Sequence, residues 1–139
     1  MPRQALGWPA LQGLFDTLGR ERIGYDDFRR NGMLLPSRES AVVRLGLPLH
    51  LGPHRDYNRM VIERLGVIES RWSRERASSE STARSTALMR IALLQAALRK
   101  RILDRNKPLR FNRADPLGQR RDFSLLDRLA EELWVASAD

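Results

Sequence analysis

Apolar positions along the chain recur mostly at helical spacing. Leu11, Leu14, Phe15 and Leu18 share one face of a short helix. Pro9 stands near its start and Gly19 just past its end, the residue types that open and close helices. Residues 20–28 read as a polar connection. Asn31-Gly32 is a turn dipeptide, and Met33-Leu34-Leu35-Pro36 after it reads as a short strand or extended piece. Ser37 is placed to cap a two-turn helix carrying Ala41, Val42 and Leu45, closed by Gly46. Leu47-Pro48-Leu49-His50-Leu51-Gly52-Pro53 must be extended, because two prolines and a glycine forbid a helix there.

A long helix is predicted from near Pro53 to about Arg76. Tyr57, Val61, Leu65, Ile68 and Trp72 form its buried stripe. Residues 78–85 are polar and interrupt the pattern, which makes them the most flexible joint expected in the chain. A further helix carries Ala87, Ile91, Leu94, Leu98 and Ile102. Residues 104–122 hold Pro108, Pro116 and Gly118 and read as loop. Phe123-Ser124 opens a last helix, with Ser124 as N-cap and Leu126, Leu129, Ala130, Leu133 and Trp134 on its face. The fold class expected is mainly α, one domain, with a small extended or hairpin element packed on the long helix.

Composition narrows the classes of function. The 139 residues suit one domain with its own core. Apolar residues at 42% and charged residues at 30% describe a folding chain, not a disordered one. No stretch is apolar enough to span a membrane, and no signal-peptide run follows Met1. There is no cysteine, so disulfides and thiolate metal sites are excluded. The net charge is +8, and every basic residue except Lys100 and Lys107 is arginine. Arginine presents a fork that matches phosphate oxygens, so a nucleic-acid partner is a reasonable expectation. A solvated arginine-rich helix face would give the same composition.

The chemistry concentrates in one short stretch. The chain has two histidines, His50 and His54, four residues apart. His50 ends the extended segment, His54 falls in the first turn of the long helix, and Asn58 follows one turn later. At about 100° per residue, His54 and Asn58 line up with Val61, Leu65 and Trp72 and point to the packed side. Imidazole is the commonest side-chain ligand for a transition metal, and a helix start favours an anion. The plainer alternatives are a helix cap or a satisfied buried polar group for each histidine, a core role for Tyr57, and an ordinary turn at Asn31-Gly32.

Asn31-Gly32-Met33-Leu34-Leu35-Pro36 followed by His50-Leu51-Gly52-Pro53-His54-Arg55-Asp56-Tyr57-Asn58 resembles the AHH family. This is a nuclease family of the HNH/endonuclease VII superfamily, often the toxin module of bacterial polymorphic toxins. Asn31 with Leu35-Pro36 fits its second motif, and His50, Gly52, His54, Tyr57 and Asn58 fit its third. Asp115-Pro116-Leu117-Gly118 and Asp122-Phe123-Ser124 are similar to the tail of standalone members. The resemblance implies an HNH-like ββα-metal core over residues 1–76, with 77–139 as an appended helical region of the same domain. It implies a metal-dependent endonuclease cutting DNA or RNA, with a divalent ion (Mg²⁺, Mn²⁺, Zn²⁺ or Ni²⁺) as cofactor. His50 and His54 would sit at the metal or scissile phosphate. Asn31 and Asn58 would orient them, and Arg55 and Arg59 would lie near the nucleic-acid backbone. An acidic immunity protein would be a natural partner, and the chain would be cytoplasmic or delivered as a toxin.

The Ala-His-His motif that names the family is absent. In the family it precedes a proline that aligns with Pro2, and one of its histidines is the general base. Either the start codon lies upstream and Met1 is internal, or the chain is an inactive relative that binds nucleic acid or a partner. A purely structural helical adaptor is a third reading. The chain alone is expected to bind nucleic acid in a salt-dependent way. It should also cleave far more slowly than a form extended through that motif.

Overall fold

Helix signals set most of the architecture. The computed structural model describes residues 1–107, 109, 111, 116 and 124–136. A 3-10 turn over Arg3–Gly7 leads into α1, Pro9–Leu18, which starts on its proline. Gly19 ends α1 with its N–H on the Phe15 carbonyl at 3.0 Å. The stretch read as a polar connection instead holds two short helices, α2 (Arg20–Ile23) and α3 (Phe28–Asn31). Gly24 closes α2 in the left-handed region, and the Asp27 carboxylate caps α3 by accepting the Arg29 N–H at 2.8 Å. Asn31 therefore ends a helix, and Gly32 follows with extended backbone.

Helix α4 spans Glu39–Leu45 and stops at Gly46, whose φ is 65°. Its N-cap position is Arg38, with no side-chain cap bond, so Ser37 does not act as the cap. Helix α5 runs Arg55–Glu75 and buries Met60, Val61, Leu65, Ile68 and Trp72, with Tyr57 only half-buried. Helix α6 spans Glu80–Ile102, so the expected break over 78–85 shrinks to a turn. The Ser79 hydroxyl, just before Glu80, accepts the Thr82 N–H at 3.4 Å and starts the helix early. Helix α7 is Ser124–Ala136, with Leu126 fully enclosed. Asp115, Leu117, Gly118, Asp122, Phe123 and the Ser124 side chain lie outside the described residues.

The expected hairpin does not form as a pair of strands among the described residues. Residues 32–36 and 47–51 form neither helix nor turn, and the His50 N–H donates to the Pro36 carbonyl at 2.8 Å. Pro36 and Pro48 have no N–H to give, so a ladder cannot grow. No strand forms among the described residues.

The chain divides into two compact units, Met1–Gly32 with Asn58–Gln95 and Met33–Tyr57 with Ala96–Asp139. In the first, Leu11, Leu14, Leu18, Val61, Leu65 and Ile91 are almost wholly removed from water. Each such side chain contributes about 1.5–3 kcal/mol of burial. In the second, Ile102, Leu109 and Phe111 form the core, with Met33, Leu35 and Tyr57 packed on it.

Candidate functional site

Three features of the sequence bring the two histidines together. Leu49 is buried, and the next side chain, His50, is turned to solvent. Gly52 has a φ of 73°, a left-handed conformation that reverses the chain at little cost only for glycine. His54 then stands just before Arg55, the first residue of α5. His54 Nε2 lies 2.9 Å from His50 Nδ1. The ring centroids are 4.9 Å apart with a 34° tilt.

The core of the second unit seats the inner ring. Phe111 packs against His54 with centroids 5.1 Å apart and against Tyr57 at 5.0 Å. Burial holds the His54 imidazole below its ordinary pKa, and the neighbouring His50 adds to this. The Phe111 backbone acts in the opposite direction by favouring the protonated ring. Even so, Nδ1 of His54 is buried and closes no hydrogen bond of good geometry. A neutral ring is thus presented to its partner, as a metal ligand must be.

Two facing nitrogens 2.9 Å apart share one proton or one ion. Nitrogens bound at about 2.0–2.1 Å to one ion are roughly 2.9 Å apart at a right angle and about 3.3 Å apart in a tetrahedron. The pair fits a divalent ion as two neighbouring ligands. It does not make a full set, since no group of three or more His, Asp or Glu side chains is placed to hold a metal among the described residues. Three acidic side chains that could offer an oxygen ligand are otherwise engaged. Asp26 pairs with Arg3 at 3.8 Å, Asp27 caps α3, and Glu63 pairs with Arg59 at 3.9 Å.

The asparagines stand in the first unit, on its leading residues. The Asn31 amide donates to the Tyr25 carbonyl at 2.9 Å and the Met1 carbonyl at 3.2 Å. Its oxygen accepts from the Met1 amine, which burial pushes down to about 6. The Tyr25 hydroxyl donates to the Pro2 carbonyl, and burial raises it to about 12. The Asn58 amide donates to Gln4 Oε1 at 2.8 Å. Arg55 and Arg59 are both exposed. Phe111 is the contributor that sequence reasoning missed. Its one signal is being a lone aromatic in a polar, proline-containing stretch.

A family model described as a nuclease family of the HNH/ENDO VII superfamily with conserved AHH matches residues 3–98. No curated protein and no solved structure matches the chain.

Proposed function

Because the chain belongs to the AHH family of HNH/endonuclease VII nucleases, we propose that it is a metal-dependent endonuclease centred on His50 and His54. The observation that carries this reading is the 2.9 Å approach of His54 Nε2 to His50 Nδ1. When bound, a divalent ion would supply a Lewis acid for the scissile phosphate. His54 offers a neutral nitrogen because burial disfavours its cation. His50 is exposed, so a phosphodiester reaches it from solvent. Arg55, heading α5, is exposed and presents a guanidinium that suits the same anion. Asn31 and Asn58 are positioning residues that hold residues 1–4. A toxin role, with an acidic inhibitor as partner, belongs to the same proposal.

A second reading is favoured by one observation: the chain has only two histidines. Without a third group to deprotonate water, the fold would bind nucleic acid without cutting it. Loss of a general base costs about 10²–10⁴ in rate. Calorimetric titration with Mn²⁺ and Zn²⁺ tests the site that both readings share. One ion per wild-type chain is expected, lost in His50→Ala and in His54→Ala. Equal affinity in all three proteins would leave the histidines with a structural role only.

A further inference from the structure

We propose that residues 99–107 form the strip that grips the phosphate backbone of the nucleic acid, an assignment that rests on the nuclease reading above. Arg99, Lys100, Arg101, Arg105 and Lys107 face one acid, Asp104, in nine residues. This short segment holds +4 of the chain's net +8. By contrast, residues 55–63 carry Arg55 and Arg59 together with Asp56 and Glu63, and sum to zero.

Lys100, Arg105 and Lys107 carry charge that the described residues do not neutralise. Asp104 spends its carboxylate on the loop itself, accepting the Asn106 N–H at 3.0 Å and the Lys107 N–H at 3.3 Å. Lys100, Arg105 and Lys107 are exposed, and none pairs with a carboxylate among the described residues. Beneath them Arg101 is only 5% exposed. Its guanidinium donates to the Lys107 carbonyl, and its Nε has no partner among the described residues. A buried guanidinium without a carboxylate is costly, and like charges around it add repulsion. A polyanion relieves both.

The strip also lies on the segment that builds the histidine site. Arg105 runs along Gly46, with its Cγ 3.5 Å from the place a Cβ would occupy, and Gly46 is four residues before His50. Four residues beyond Lys107, Phe111 packs on His54. That span is at most about 14 Å of extended chain, some four steps along a nucleic-acid strand.

The test is fluorescence anisotropy of a labelled DNA duplex bound by the full chain in chelator, over a series of salt concentrations. Lys100→Gln/Arg105→Gln/Lys107→Gln is compared with Arg22→Gln/Arg29→Gln/Arg71→Gln, which removes the same charge from exposed arginines of the other unit. The strip variant should lower the slope of log K against log salt by about 2.7, since each phosphate contact is worth roughly 0.9. The control should lower it by less than about one such contact. Circular dichroism checks both folds, and if the triple variant unfolds, the single variants should each lose about 0.9. An unchanged slope, or equal losses in strip and control, would overturn the assignment and leave the strip to an acidic protein. Because binding is read without metal, tight binding by a chain that never cuts would sink the nuclease reading and not the strip.

Discussion

At the scale of single residues, His54 carries the heaviest physical commitment. The folded state binds its proton less readily than the unfolded chain, because burial lowers its pKa below 6.5. Stability from this residue is therefore complete above the unfolded value and is lost as pH falls towards the folded one. Between about pH 7 and pH 5, the thermal midpoint of the wild type should fall more steeply than that of His54→Gln, followed by circular dichroism. Parallel curves would show that another group titrates. The pairing of His50 and His54 was legible from Gly52 and the two prolines around it, since those residues leave few ways for the chain to turn. The seat of His54 on Phe111 was not legible. Contacts between residues far apart in sequence leave no local period, and the segment read as loop. Asn31 stands out in the sequence as a candidate, but its partners, Met1 and Tyr25, come only from the fold.

At the scale of elements, the apolar period with its start and stop residues revealed α1, α5, α6 and α7. Helices α2 and α3 escaped because each has four residues and no period; Gly24 and Asp27 hold them by local hydrogen bonds. Proline chemistry explains why no strand pair forms among the described residues, where the His50 N–H bonds the Pro36 carbonyl. Two substitutions test these elements. Leu65 is wholly buried on α5, and Leu65→Ala should cost about 2–5 kcal/mol in urea unfolding. A loss well under about 1 kcal/mol would show that the α5 stripe does not face a packed core. Gly52→Ala forces a Cβ into the left-handed region, at a cost of about 1–2 kcal/mol. It should also weaken Mn²⁺ binding, because the same turn brings His54 back to His50. Unchanged metal affinity in that variant would separate the turn from the site.

At the scale of the whole molecule, charge and family point the same way. The chain carries +8, concentrated in residues 99–107, and belongs to a nuclease family whose substrate is a polyanion. The basic run can be read from the sequence. The burial of Arg101 and the turning of Asp104 into its own loop cannot, because both depend on where the chain goes after Ile102. Plasmid nicking by residues 1–139, in Mg²⁺, Mn²⁺, Zn²⁺ or Ni²⁺ and in chelator, with His54→Ala alongside, decides whether His50 and His54 form a metal-dependent nuclease site. Slow nicking is expected that needs the ion and disappears in His54→Ala. Nicking that persists in chelator, nicking that survives His54→Ala, or intact plasmid under every ion would contradict that assignment.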